Sequence, residues 1–198
     1  MQSINPFPYI FKDSYNFQFN DWKWKADECL EQAAELKRPG PEKNGGITSV
    51  VINNNCPPHS WDEMQSFLEW MYPKVNDIWD AWKLEPMNKH LSDSWINIHP
   101  PGAWTAEHHH QNVIVAVVCY LQVPENSGGL RVKNPFRLQK YSEPVRHEYY
   151  DDGGEWEVVN VKTNDVLFIP GWLSHMTEVN NSKDDRYVVS MNIMGTFL

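Results

Sequence analysis

The sequence has little of what secreted and membrane proteins depend on. Its three cysteines, Cys29, Cys56 and Cys119, are odd in number and share no close spacing, so no disulfide framework is predicted. The first residues lack a basic segment followed by an apolar one, which a secretory leader would show. No apolar run approaches the roughly 20 residues that a membrane helix needs. We therefore expect a cytoplasmic protein with no membrane partner.

Positive charge is also scarce. Seventeen lysines and arginines stand against 26 aspartates and glutamates, which gives a formal net charge of -9 and a pI near 5.3. Binding to a nucleic-acid backbone depends on clustered basic side chains. The composition therefore argues against nucleic acid as the main partner.

The 198 residues suit one domain whose two parts differ in character. Up to about residue 90 the regular segments are helical, with a weaker helix over about 22–36 and a stronger one that begins at "SWDE". There Ser60 and Glu63 have the spacing of a capping box, and apolar residues from Met64 to Trp82 fall on one stripe. Pro73 is expected to kink or divide this helix.

From about residue 91 to 198, short β-rich runs alternate with turn residues, which is typical of a β-sandwich or barrel. The run "VIVAVVCYLQV" is apolar at odd and even positions alike, so we expect a central strand covered on both faces. The polar and aromatic stretch 134–155 has no clear period and is interpreted as a long excursion over the barrel mouth. The predicted class is mainly β, a jelly roll braced by N-terminal helices.

The run "AEHHHQN" places three consecutive histidines just before this central strand. Because side chains alternate along a strand, His108 and His110 would share one face while His109 points away. A third imidazole could come from His175, between two later strands, and ligands from separate strands can leave coordination positions open. The alternative is that these histidines are merely solvated at a strand entry.

The same alternation predicts what surrounds the histidines. It places Ile114, Ala116, Val118 and Tyr120 on the face of His108 and His110, provided that no bulge intervenes. In the last strand it groups Arg186, Val188, Ser190 and Asn192. An inward guanidinium needs an anion. A metal with open positions and a nearby arginine fits a ligand that chelates at one end and carries a carboxylate at the other, as 2-oxoglutarate does.

An ordered series of segments then makes the sequence recognisable. It comprises "GGITS", "SWINI", "GAWTAEHHH", "CYLQVPENSGGLRVKNP", "NDVLFIPGWLSH" and "DDRYVVSMN", and it spans roughly 45–192. In this series the chain resembles the 2-oxoglutarate and iron(II) oxygenases of the phage and marine-bacterial type. These form a branch of the prolyl-hydroxylase-like superfamily with a double-stranded β-helix fold. No single segment is decisive, but their order is specific.

The resemblance implies a role for each matching residue. His108, His110 and His175 would bind Fe(II), and Arg186 would meet the distal carboxylate of 2-oxoglutarate, with Tyr120, Ser190 and Asn192 beside it. Asn97, Trp104 and Trp172 would line the substrate pocket. The remaining histidines, His59, His90, His99 and His147, have no ligand spacing and are expected at the surface or in loops.

The implied activity is that of a dioxygenase, in particular a hydroxylase, that consumes O2 and 2-oxoglutarate and releases succinate and CO2 while it oxidises a small-molecule or peptidyl substrate. Two departures from the superfamily stand out. His110 occupies the place where an aspartate or glutamate is usual, and Val188 occupies a place where a hydroxyl residue is common, which Ser190 or Tyr120 would compensate. Two readings without 2-oxoglutarate stay open, a cupin-like three-histidine metal protein and a non-enzymatic jelly-roll binding module.

Overall fold

The computed structural model describes residues 2–3, 9–35, 43–52, 56–135 and 156–197. Two helices, α1 (Phe19–Glu35) and α2 (Asp62–Ala81), and two 3-10 turns, Ser49–Ile52 and Pro58–Ser60, accompany twelve strands. The strands are β1 (Gln2–Ser3), β2 (Phe11–Ser14), β3 (Lys43–Asn44), β4 (Ile47–Thr48), β5 (Met87–His99), β6 (Trp104–Thr105), β7 (Val115–Gln122), β8 (Leu130–Lys133), β9 (Trp156–Val159), β10 (Asp165–Pro170), β11 (His175–Thr177) and β12 (Arg186–Phe197).

The strands form a large and a small antiparallel sheet. The large sheet has seven strands in the order β1-β2-β10-β7-β12-β5-β4, and the small sheet has three in the order β11-β8-β9. A two-stranded ribbon, β3 and β6, completes the β structure of the described residues. The fold class is as predicted, because two antiparallel sheets form a double-stranded β-helix that is braced by helices.

The sequence of strand β7 is apolar throughout because both faces of the strand are buried. Its odd-numbered side chains, Val115 to Leu121, belong to the core formed with α1 and α2, and its even-numbered ones, Ala116 to Tyr120, belong to a second core with β8. Each buried valine or leucine contributes about 1.5–3 kcal/mol. Both faces of the strand are therefore stabilised by burial, which confirms the prediction from its composition.

Helix α2 differs from the prediction at its start. Its N-cap is Trp61 without a side-chain hydrogen bond, because Ser60 donates its hydroxyl to the carbonyl of Pro57 at 2.8 Å instead. The helix is not divided, since Asp62–Ala81 runs through Pro73. The predicted stripe is buried: Met64, Phe67, Met71, Val75, Ile78 and Trp79 lie in the core. No helix in the described parts of the chain is long and apolar enough to cross a bilayer.

The excursion predicted for 134–155 lies outside the described residues except for its first two positions. The division into one domain with a helical part and a β part stays a prediction.

Candidate metal centre

His108 and His175 are joined through their backbones. The two residues form an isolated antiparallel bridge, in which the amide of His108 donates to the carbonyl of His175 at 3.0 Å and the reciprocal bond measures 2.9 Å. This pairing continues the small sheet beyond β11 and brings the ring centroids to 4.3 Å. Two residues 67 positions apart in the sequence therefore present their imidazoles side by side.

His110 is held by the chain that follows β10. Its amide donates to the carbonyl of Gly171 at 2.8 Å. The chain then turns through Asn112, whose φ is +62°, before β7 begins at Val115. That turn breaks the alternation, so Ile114 packs against the helix-side core and its predicted place on the histidine face is wrong. Ala116, Val118 and Tyr120 face the second core as predicted.

The three imidazoles converge on one point. One ring nitrogen of each of His108, His110 and His175 lies within 4.8 Å of the corresponding nitrogens of the other two. The middle histidine of the run, His109, is exposed and is no part of this cluster.

Hydrogen bonds at Nδ1 determine the tautomer of each ring. Nδ1 of His108 donates to the carbonyl of Ala106 and Nδ1 of His175 donates to that of Leu173, both at 2.8 Å. Nδ1 of His110 donates to the side-chain oxygen of Asn192 at 2.6 Å. With the proton on Nδ1, the lone pair lies on Nε2 of every ring and is available to a metal ion, and the hydrogen-bonded N–H is the arrangement common in metal-ligating histidines.

Burial favours the uncharged form of two of the three imidazoles, those of His108 and His175. Desolvation lowers the pKa of His108 below its usual value, and it lowers the pKa of His175 well below that value, with the neighbouring His108 adding to the effect. A neutral imidazole is the form that binds a metal. The site is thus ready for a cation without first losing protons.

A cavity of about 300 Å³ opens beside the histidines. Several of the predicted site residues line it: the three histidines, Asn97, Trp104, Tyr120, Ser190 and Asn192. Trp172 is not among the lining residues, and its place in the substrate pocket stays a prediction. Its side chain is 55% exposed and packs edge-on against Tyr9, with 6.2 Å between ring centroids.

Arg186 has only 1% of its surface exposed and is not among the residues that line this cavity, although its neighbours Tyr120 and Val188 are. Its Nη1 donates to the carbonyls of Ser127 and Gly128, and its Nη2 donates to that of Glu178 at 3.3 Å. Nε of Arg186 is buried without a hydrogen-bond partner among the described residues, and so is the hydroxyl of Tyr120. The two groups interact electrostatically, and burial raises the pKa of Tyr120 well above its usual value, so its phenol keeps its proton.

Two buried donors without acceptors are costly unless a ligand satisfies them. An anion bound beside Arg186 would accept hydrogen bonds from both donors, the N–H of Nε of Arg186 and the hydroxyl of Tyr120. A carboxylate at this position therefore fits the residues that are present, as the three Nε2 lone pairs fit a metal ion.

His99 lies in the wall of the cavity, which corrects its predicted position at the surface. It is 3% exposed, and its Nε2 is hydrogen-bonded to the hydroxyl of Thr105 at 2.7 Å. The sequence could have predicted this position of His99. Trp95, Asn97 and His99 are alternate residues of β5 and therefore share its cavity face.

Glu107, which directly precedes His108, stays outside the cluster. Its carboxylate accepts from Nζ of Lys133 at 2.6 Å and from the hydroxyl of Ser174 at 2.7 Å, and the ammonium group lowers its pKa. These contacts connect the segment of His108 with β8 and with the segment of His175. Glu107 therefore stabilises the loop and leaves the metal ligands to the histidines.

The fold is shared with solved structures at low sequence identity. A prolyl-4-hydroxylase from Pseudomonas putida superposes with a TM-score of 0.57 at 16% identity over 94% of this chain and 92% of that one. The viral collagen prolyl hydroxylase of Paramecium bursaria Chlorella virus-1, solved with 2-oxoglutarate, gives 0.55 at 13% identity over 93% and 95%. HygX from Streptomyces hygroscopicus, solved with nickel, 2-oxoglutarate and hygromycin B, gives 0.56 at 15% over 96% and 84%.

No curated protein matches the sequence. The family model described as 2OG-Fe(II) oxygenase matches residues 93–192, about half of the chain, and this range contains all three clustered histidines and Arg186. The chain belongs to the 2OG-Fe(II) oxygenase family and is a 2-oxoglutarate-dependent dioxygenase that uses Fe(II) and O2.

Proposed function

We propose that the chain is a hydroxylase in which His108, His110 and His175 bind Fe(II), while Arg186 and Tyr120 bind the distal carboxylate of 2-oxoglutarate. The observation that carries the metal assignment is the set of three Nδ1 hydrogen bonds, which direct the three Nε2 lone pairs into one small space. Ligands from separate segments of the chain leave the cavity side open, as a catalytic metal requires.

The charge of this site differs from that of the usual superfamily triad. Three neutral imidazoles, Fe(II) and a doubly ionised 2-oxoglutarate sum to zero, whereas a carboxylate in place of His110 would leave about one negative charge. When bound, Fe(II) would allow O2, the oxidant, to react with 2-oxoglutarate: one oxygen atom enters succinate as CO2 is released, and the other converts a C–H bond of the substrate into C–OH.

Arg186 and Tyr120 supply the anion site. Three of the five N–H donors of Arg186 are used by backbone carbonyls, which hold the guanidinium rigidly, and the N–H of Nε needs an acceptor. The protonated hydroxyl of Tyr120 provides a second donor. A carboxylate between them would satisfy both donors and form an ion pair with the buried guanidinium.

The rest of the cavity excludes water and orients the substrate. Val118, Val188 and Leu130 give its inner part an apolar lining, while Asn97 and Trp104 offer an amide and an indole on the substrate side. The substrate is a small molecule or a peptide segment. The solved structures of the same fold include a prolyl-4-hydroxylase and an enzyme with bound hygromycin B, so the fold accommodates both kinds.

The experiment that tests this function is an anaerobic titration. Chelator-treated protein receives Fe(II) and then 2-oxoglutarate, and the weak visible metal-to-ligand charge-transfer band is recorded. We expect the band to depend on both additions. Its absence, with no bound iron and no affinity for 2-oxoglutarate, would contradict the proposal and favour a metal protein that does not use 2-oxoglutarate.

Two variants with matched controls identify the residues. His110→Ala should weaken iron binding and the band, whereas His109→Ala, which removes the exposed neighbouring imidazole, should leave both unchanged. Arg186→Ala should retain iron and weaken 2-oxoglutarate binding. Its control is Arg131→Ala, which removes an arginine that has no role in the proposed anion site. The Arg131 guanidinium lies instead over the ring of Trp156, 5.5 Å from the centroid.

A further inference from the structure

Asp93 is the one acidic side chain among the described residues that line the cavity of the metal centre. It also lines a neighbouring cavity of about 390 Å³, together with Ser49, Val50, Cys56, Pro57, Ser94 and Trp95. No lysine or arginine lines either cavity in the described parts of the chain. The carboxylate therefore stands where the two spaces meet.

The position of Asp93 relative to the iron ligands follows from the sheet register. Asp93 pairs with Asn192 across β5 and β12, and the side chain of Asn192 accepts the Nδ1 hydrogen bond of His110. Asp93 is thus one cross-strand pair away from the residue that orients a proposed ligand. A molecule that touches Asp93 would extend toward the metal centre.

The Asp93 carboxylate has no cationic partner among the described residues. Its Oδ1 accepts a hydrogen bond from the hydroxyl of Ser92 at 3.1 Å, which is a neutral donor. His59 lies within the field of Asp93, but desolvation lowers its pKa more than that field raises it, so the imidazole stays neutral; its Nδ1 is hydrogen-bonded to the hydroxyl of Ser94 at 2.8 Å. The negative charge of Asp93 is uncompensated.

An aromatic ring adjoins this charge. Trp95 follows Asp93 by two positions on the same face of β5, lines both cavities, and lies with its ring centroid 5.7 Å from that of His110. A carboxylate beside an indole face is the arrangement that attracts an organic cation, through an ion pair and a cation–π contact. The net charge of -9 also favours the approach of cations.

We infer that the substrate carries a protonated amine or guanidinium group, which binds against Asp93 and Trp95 while the rest of the molecule extends to the metal centre. This inference rests on the proposed function, in which iron, three imidazoles and 2-oxoglutarate sum to zero charge. Among the described residues that line the two cavities, Asp93 carries the only formal charge when the imidazoles are neutral.

The test measures binding without turnover. The anaerobic complex with Fe(II) and 2-oxoglutarate is titrated with two pairs of probes, n-hexylamine against n-hexanol and benzylamine against benzyl alcohol, by calorimetry and by the shift of the charge-transfer band. In each pair the molecules have nearly the same shape and differ in charge. We expect each amine to bind about tenfold more tightly than its alcohol, as one well-placed charged contact allows.

Variants show whether Asp93 causes the preference. Asp93→Asn should abolish it, Asp93→Glu should retain it, and Asp77→Asn, on the exposed side of α2, should leave it unchanged. An amine that coordinates iron directly would bind Asp93→Asn with the same affinity as the wild type. If Asp93→Glu retains the amine preference that Asp93→Asn loses, the loss is caused by the missing charge and not by a damaged fold.

Equal binding of amine and alcohol, no binding of either at millimolar concentrations, or a preference that survives in Asp93→Asn would overturn the inference. Its failure is distinct from that of the proposed function. If the wild-type band does not form, the oxygenase site itself is wrong, whereas a normal band without an amine preference overturns only the substrate class.

Discussion

Tyr120 and Val188 lie directly opposite each other on β7 and β12. Val188 occupies the place where the superfamily commonly has a hydroxyl residue, and the hydroxyl of Tyr120 is buried without a partner among the described residues. The phenol therefore presents, from the facing strand, the donor that position 188 lacks. In the proposed site, this donor would allow an apolar residue at 188 beside a carboxylate ligand of Arg186.

Tyr120→Phe is expected to weaken 2-oxoglutarate binding by about tenfold to a hundredfold, since a hydrogen bond to a charged group contributes about 1.5–3 kcal/mol. Iron binding should stay unchanged, because the imidazoles are not altered. Titration of 2-oxoglutarate into the anaerobic iron complex measures both. Adding Val188→Thr to Tyr120→Phe should recover part of the affinity, and an unchanged affinity in Tyr120→Phe would refute this role for the phenol.

Asn192 is predicted to act on the metal through His110. The sequence pointed to a contact with 2-oxoglutarate, whereas the structure places its side-chain oxygen on Nδ1 of His110. Loss of such a partner typically lowers metal affinity about 10–100-fold, so we expect Asn192→Ala to weaken iron binding by this factor. Competition with a chromogenic chelator measures the affinity. The exposed Asn88 provides the control Asn88→Ala, and equal affinities of the two variants would contradict the prediction.

The buried histidines should make the stability of the metal-free protein depend on pH. In the unfolded chain a histidine takes up a proton as pH falls through about 6.5, whereas the folded site resists protonation because burial lowers the pKa of His108 and His175. The unfolded state then binds more protons, so the free energy of unfolding should decrease as pH falls below 6.5. Urea denaturation over this range measures the slope.

Substitution identifies the histidine responsible for this slope. His175→Gln should flatten the pH dependence of the free energy of unfolding, because it removes the more strongly shifted group. His90→Gln, at an exposed position of β5, should leave the slope as it is. A slope that His175→Gln does not alter would show that burial of this imidazole is not the cause.

Gly171→Ala is expected to displace the loop of His110. A Cβ at residue 171 would lie 2.2 Å from the carbonyl oxygen of Val113, so the backbone between His110 and β7 would have to move. We expect a loss of about 1–3 kcal/mol in the free energy of unfolding together with weaker iron binding. Gly102→Ala, where a Cβ would meet nothing within 4 Å, should cost stability through its φ of +83° and leave iron affinity intact.

Alternation along strands accounts for most of what the sequence predicted correctly. It placed Ala116, Val118 and Tyr120 of β7 and Val188 and Ser190 of β12 on the inner face, because both segments are continuous strands. The same rule failed for Ile114, since the positive φ of Asn112 turns the chain before the strand begins. A local turn of this kind is determined by contacts with Gly171, which is distant in the sequence.

Other features depend on contacts that no local pattern encodes. The pairing of His108 with His175 requires the small sheet to close, and sequence spacing alone does not predict their 4.3 Å ring separation. Similarly, Ser60 had the spacing of a cap but donates to Pro57, because the preceding 3-10 turn offers its hydroxyl a nearer acceptor. His99, by contrast, was predictable from the alternation of β5.

The most direct test of the three-histidine site is a crystal structure of the protein grown anaerobically with Fe(II) and 2-oxoglutarate, with anomalous data recorded at the iron edge. We predict one iron peak at bonding distance from Nε2 of His108, His110 and His175, with the distal carboxylate of 2-oxoglutarate between Arg186 and the hydroxyl of Tyr120. Iron bound through a carboxylate such as that of Glu107, with His110 turned away, would contradict this prediction.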